Sequence, residues 1–151
     1  MIRIIELTMN IYFACSITGG RKEENIYEFI VDIMLSDGQQ VPTAHLSRPD
    51  VMSLEEIVDP AEIYTRDIEW IDSCDAMIAE VSTPSHGVGY EISYALSRNK
   101  PVLCLYRQGI RVSKMITGND HPKICVRDYQ NTDEIAVLLK AFLSEHHPTT
   151  E

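Results

Sequence analysis

An open, mostly parallel five-stranded α/β sheet with helices on both faces, flavodoxin-like or Rossmann-like, is the fold class this sequence predicts. Short apolar, β-rich runs alternate five times with segments of helical period. Loops of small residues follow the first and third of those runs, at the carboxyl ends of strands where such sheets place their ligands. A length of 151 residues suits one domain spanning 1–151 with a sizeable core.

The first strand is expected from Ile11 to Cys15, with residues 1–10 as its extension. A loop, Ser16-Ile17-Thr18-Gly19-Gly20-Arg21, leads to a helix from Glu23 to Leu35, and a second strand is expected from Gln40 to His45. Asp59-Pro60-Ala61-Glu62 is a helix start, with an acid to cap, proline at the first position and glutamate at the third. Over Pro60 to Cys74, at about 100° per residue, Ile63, Tyr64, Ile71 and Cys74 share one side, and Asp67 falls inside that apolar stripe. The third strand, Ala76 to Val81, empties into Ser85-His86-Gly87-Val88-Gly89-Tyr90-Glu91 and a helix from Val88 to Arg98. Val88, Ile92, Ala95 and Leu96 form its inward face, with Glu91 on the rim. A fourth strand (Val102 to Tyr106), a short helix near Ser113, a fifth strand (Ile124 to Val126) and a helix from Thr132 to His146 complete the chain, leaving 146–151 as a tail.

A formal charge of −10 argues against a nucleic-acid polymer or an anionic membrane surface as partner, since both repel an acidic protein that lacks a basic run. Cys15, Cys74, Cys104 and Cys125 have no metal-ligand or C-x-x-C spacing and read as reduced, buried small hydrophobes. No apolar run approaches a membrane span and the start lacks a signal-peptide pattern, so cytoplasm, and also nucleus, is the expected location. No metal or other cofactor is implied.

In a flavodoxin-like strand order the loops after strands one and three face one crevice. Each supplies glycine N–H groups and a serine, suited to a small anionic group despite the acidic chain. A carboxylate inside an apolar stripe is costly unless it is paired or faces a cavity, which marks Asp67. Glu91 stands in the first turns of a helix, where the backbone dipole favours its ionised form. The two together read as a carboxylate pair for glycosyl chemistry. Tyr12 either packs or orients a carboxylate such as Glu91, and His45 either contacts a ligand or is an ordinary loop residue.

Ile11-Tyr12-Phe13 with Ser16-Ile17 and Gly19-Gly20-Arg21, Asp67-Ile68-Glu69-Trp70, and Ala79-Glu80-Val81 with Pro84-Ser85 and Gly87-Val88-Gly89-Tyr90-Glu91 together resemble a family. It is that of the 2'-deoxynucleoside 5'-monophosphate N-glycosidases (5'-phosphate N-hydrolases), relatives of the nucleoside 2-deoxyribosyltransferases, in order and spacing from Ile11 to Phe142. The resemblance implies a dimer that cleaves the bond between base and 2-deoxyribose in a deoxynucleoside monophosphate without a cofactor. It implies Glu91 as nucleophile forming a covalent glycosyl-enzyme, Tyr12 as its orienting group, and Asp67 at sugar and base, holding the substrate or assisting protonation of the departing base. Ser16, Ile17, Thr18, Gly19, Ser85, Gly87 and Gly89 would line the sugar-phosphate site, His45 would lie near the base, and Ser113 would reach the phosphate in the partner subunit. Where members often carry arginine this chain has Thr18, which removes a bidentate donor from the phosphate grip. A ribonucleotide N-glycosidase acting on cytidine monophosphate and a deoxyribosyltransferase are the neighbouring activities. A nucleotide-binding module without chemistry is the alternative from another class.

Overall fold

The computed structural model describes residues 8–17, 23–48 and 56–148. Four strands, β1 (Ile11–Ala14), β2 (Ala76–Glu80), β3 (Val102–Arg107) and β4 (Ile124–Tyr129), form one sheet in the order β1-β2-β3-β4, every pair parallel. Among the described residues five α-helices accompany them: α1 (Glu24–Ser36), α2 (Pro60–Ser73), α3 (His86–Ser97), α4 (Lys114–Thr117) and α5 (Thr132–Glu145).

Both faces of the sheet are covered, so its strands are apolar on both sides. Ile11, Phe13, Ala76, Ile78, Leu103 and Leu105 pack with Tyr27, Ile30 and Met34 of α1 and with Ile135, Leu139 and Phe142 of α5. On the other face Tyr12, Ala14, Met77, Ala79, Val102 and Cys104 pack with Ile71 of α2 and with Val88, Ile92, Ala95 and Leu96 of α3. The period of two along each strand thus assigns every side chain to one helical layer.

The predicted strand from Gln40 to His45 does not form, and the sheet has four strands rather than five. Only one bridge survives, Gln40 beside Asn10, with the Ile11 amide donating to the Gln40 carbonyl at 2.8 Å. Pro42 has no N–H for a ladder, and the chain turns there, with the Ala44 amide on the Val41 carbonyl, into a single 3₁₀ turn, Ala44–Ser47. The Phe13 amide, which would have paired with that strand, donates instead to the Thr43 hydroxyl at 2.9 Å. The segment therefore guards the β1 edge through side chains.

Three of the longer helices start as capping chemistry dictates. Asp59 accepts from the Ala61 amide at 2.8 Å ahead of Pro60, Ser85 accepts from Val88 at 3.3 Å, and Asn131 accepts from Glu134 at 3.0 Å. The Ser85 cap starts α3 two residues before the expected Val88. At the other end of the chain α5 stops at Glu145, and His146 packs its ring on Phe142, 4.5 Å between centroids, rather than belonging to a loose tail. Residues 1–7 and 149–151, parts of the predicted extension and tail, lie outside the described residues. All four cysteines are free, three of them buried, and burial pushes the Cys74 thiol up to about 11 and that of Cys104 up to about 12. No helix among the described residues is long and apolar enough to cross a membrane.

Candidate active site

Tyr12 occupies the second position of β1, which directs it to the α2 and α3 face, where it is fully buried. Its hydroxyl donates to Oε2 of Glu91, the sixth residue of α3. That leaves Oε1 of Glu91 above Gly87, where an added methyl would stand 3.7 Å from it and 3.9 Å from the Ser85 hydroxyl. One carboxylate oxygen is thus fixed from behind and the other faces open space over a residue without a side chain.

Burial sets the electrostatics of the pair. It raises the Glu91 carboxyl to about 7, against the downward pull of the Tyr12 hydrogen bond; the Asp67 charge adds to the rise and the Arg66 charge opposes it. Burial first, and then the Glu91 and Asp67 charges, push the Tyr12 phenol far above its ordinary range. Tyr12 therefore remains a donor, while Glu91 exchanges its proton near neutrality.

Beside this pair lies a cavity of about 570 Å³ between α2 and α3, walled by Ile63, Ile68, Ile71, Tyr64 and Tyr90 and bearing Asp67, Gly87 and Glu91. Of the apolar stripe on α2, Ile63, Tyr64 and Ile71 line this cavity, Ile71 being the one buried residue of the helix, while Cys74 just beyond it packs in the core. That resolves the cost of Asp67: it faces a crevice, and its Oδ1 accepts from Nε of Arg66 at 2.9 Å. At the rim the hydroxyls of Tyr64 and Tyr90 are 3.2 Å apart.

Glu91, Asp67, Tyr12 and Gly87 thus converge. Ser16 is buried at the end of β1 and Ile17 packs half-buried against the core beyond it, while Thr18, Gly19 and Arg21 lie outside the described residues. His45 sits in the 3₁₀ turn with its ring edge toward Trp70, centroids 6.1 Å apart. Ser85, Gly89 and Ser113 line a second cavity of about 850 Å³, across the first turn of α3, together with Arg111, Lys114 and Met115. Ser113 is exposed and caps α4, accepting from the Met115 amide at 3.2 Å. Among the described residues no group of three or more His, Cys, Asp or Glu side chains is gathered as metal ligands would be.

Two features escaped the sequence reading. Arg66 lies 4.8 Å from the Trp70 ring centroid while holding Asp67. Glu80, at the end of β2, is completely buried: Oε1 accepts from the Ser82 amide at 2.7 Å and Oε2 has no partner among the described residues. Burial raises its carboxyl to about 7, with the Glu23 charge adding to the rise. The Ser82 hydroxyl accepts from the Arg107 amide at 2.8 Å, and the Arg107 guanidinium pairs with Glu23 directly ahead of α1. A carboxylate in a strand covered on both faces was the available signal for Glu80.

A tyrosine-backed carboxylate with a second acid in an apolar crevice, at the carboxyl edge of an open parallel sheet, defines an α/β domain equipped to act on a small ligand of mixed polarity. The chain belongs to the nucleoside 2-deoxyribosyltransferase family, whose profile matches residues 11–134. A Nematostella vectensis protein named "Putative 2'-deoxynucleoside 5'-phosphate N-hydrolase 1" is 42% identical over 92% of this chain and 97% of its own length. The "5-hydroxymethyl-dUMP N-hydrolase" of Danio rerio is 40% identical over 89% of this chain and 95% of its own. Among solved structures, the CMP N-glycosidase of Clostridium botulinum shares the fold, with a TM-score of 0.66 and 20% identity over 88% of this chain and 99% of that one.

Proposed function

We propose that this chain hydrolyses the N-glycosidic bond of 2'-deoxynucleoside 5'-monophosphates to free base and 2-deoxyribose 5-phosphate. The observation that carries the reading is Glu91 itself, one oxygen bound by Tyr12 and the other open over Gly87 beside Asp67. Relatives named as N-hydrolases of deoxynucleoside phosphates support it. In this reading the Glu91 carboxylate attacks the anomeric carbon as the bond to the base breaks, and the base departs with the electron pair and takes a proton. Water then attacks the same carbon, loses its proton and returns Glu91 as a carboxylate. Asp67 holds the sugar and base, and the apolar walls enclose the base. Ser16, Ile17, Thr18, Gly19, Ser85, Gly87 and Gly89 make the sugar-phosphate site, with His45 on the base side.

The test is release of free base from deoxynucleotides, ribonucleotides and nucleosides, with and without an acceptor base, by the wild type and by Glu91→Ala. Release from deoxynucleotides that needs no acceptor and is lost in Glu91→Ala is expected. No release from any substrate, or undiminished release by the variant, overturns the reading. Dependence on an acceptor identifies a transferase instead.

Tyr12→Phe removes the hydrogen bond that lowers the Glu91 carboxyl, so that group titrates higher. Attack needs the ionised carboxylate, so the acidic limb of kcat/KM, centred near 7 in the wild type, moves to higher pH in the variant. An unmoved limb rules out Tyr12 as the group that tunes Glu91.

The reading includes a homodimer in which Ser113 reaches the partner's phosphate, supported by the exposure of Met115, 83%, on the wall that carries Ser113. Mixing Glu91→Ala with Ser113→Ala chains should then restore activity, since half of each mixed dimer regains one intact site. No gain on mixing, or a purely monomeric species by light scattering under active conditions, assigns Ser113 to its own chain.

A further inference from the structure

Resting on the N-glycosidase reading, we propose that Arg66 is a positioning residue for the reaction: clamped between Trp70 and Asp67, it fixes the orientation of Asp67 in the crevice and supplies the positive field that keeps Glu91 available as an anion. Neighbouring side chains on a helix point about 100° apart and do not ordinarily meet. Arg66 is nevertheless drawn onto Asp67, with Nε 2.9 Å from Oδ1, and Trp70, one turn further along α2, lies against its guanidinium at 4.8 Å. The indole is itself braced by the edge contact with His45. The guanidinium thus lies over an aromatic ring and is bonded at Nε to a carboxylate, and both members of the ion pair are mostly covered, 26% and 19% exposed.

The crevice is walled by Asp67 and Glu91, and Arg66 is not among its lining residues, so it acts through them rather than on the substrate. Among the described residues the charged and titratable groups that act on Glu91 are the Tyr12 phenol from β1 and Asp67 and Arg66 from α2, while its own helix presents Gly87 and, at its cap, the Ser85 hydroxyl. Of these Arg66 is the one cation among the described residues. Two carboxylates sharing a crevice oppose each other's ionisation, and a cation at their flank offsets that repulsion. A partly exposed ion pair adds little to folding stability, so the signature belongs in the pH profile and in kcat rather than in the melting temperature.

The experiment compares Arg66→Met, Arg66→Lys and Trp70→Leu with the wild type by kcat and KM for deoxynucleotide hydrolysis from pH 5 to 9, by melting temperature, and by carbon NMR titration of the Glu91 carboxyl. Arg66→Met is expected to lower kcat about tenfold with KM little changed. It should also shift both the acidic limb of kcat/KM and the Glu91 titration upward by roughly half a pH unit. Arg66→Lys restores the titration but only part of kcat, because an ammonium keeps the charge without the planar fork that holds Asp67. Trp70→Leu lowers kcat with a smaller shift. A wild-type titration and kcat in Arg66→Met overturn the proposal, as does an equal loss in the Met and Lys variants accompanied by a falling melting temperature. The NMR arm needs no turnover, so a wild type that releases no base defeats the N-glycosidase reading while the titration still decides the role of Arg66.

Discussion

Glu91→Ala loses base release by about a thousandfold or more, and added formate returns a measurable part of it. The first effect follows from the geometry: Glu91 presents a carboxylate with one oxygen fixed from behind by Tyr12 and the other open over Gly87. Removing a group that acts only as the transition state forms costs kcat and kcat/KM together, on the order of 10³ in each. The second effect separates a nucleophile from a merely structural carboxylate. Alanine vacates the space of the side chain, a small carboxylate can occupy it beside the Tyr12 hydroxyl, and its attack on the anomeric carbon yields a formyl ester that water then cleaves. Rescue that saturates with formate and disappears in Tyr12→Phe/Glu91→Ala supports covalent catalysis. A variant that retains most of its activity, or one that is inactive and indifferent to formate at every pH, counts against it.

Glu80→Gln stabilises the folded protein above neutral pH and leaves it nearly unchanged in acid. The carboxyl of Glu80 titrates at about 7 in the fold against an ordinary 4.5, with burial the leading cause. Below 4.5 the group is protonated in both states and costs nothing. Between 4.5 and about 7 the folded state retains a proton that the unfolded state has released, so stability falls as pH rises through that window and then levels off. At 1.36 kcal/mol per unit, the rise amounts to about 3 kcal/mol at full ionisation, or roughly 6–12 °C in Tm for a domain of this size. Glutamine keeps an oxygen for the Ser82 amide and supplies donors where the ionised carboxylate has none. Denaturant melts from pH 4 to 8.5 check it: the two stability curves should meet in acid and part above 5. Parallel curves across that range would show Glu80 to be ionised in the fold at no cost.

Much of this architecture was readable because the strands carry two signals at once. Ile11 to Ala14 and Ala76 to Ala79 are apolar without a break, as a sheet covered on both faces requires, yet alternate residues serve different layers, and that alternation brought Tyr12 to Glu91. Gln40 to His45 misled because its composition suits a strand while Pro42 removes the amide that pairing needs, and the substitute, a Thr43 hydroxyl under the Phe13 amide, has no periodic signature. Asp67 stood out because a charge in an apolar stripe has few physical explanations, and both of those that the sequence offered, a cavity and a partner, apply. Arg66 stayed hidden for the opposite reason: adjacent residues on a helix are not expected to meet, and an arginine on a polar face looks ordinary. Ser85 shows a third case, since a helix cap and a ligand-binding hydroxyl draw on the same residue types at the same place.

The chain of bonds from Glu80 through Ser82 and Arg107 to Glu23 runs along the carboxyl edge of the sheet, on the layer opposite Glu91. It joins the root of the loop that leads to Gly87 with the residue on which the loop after β1 ends. The root of the loop that leads to Gly87 and the residue directly ahead of α1 therefore share a common foundation. A substitution at Arg107 alters what Glu23 requires, and through Ser82 what Glu80 tolerates, so acceptable replacements at these four positions depend on one another. Such positions drift as a set, and their single-site effects do not add when combined.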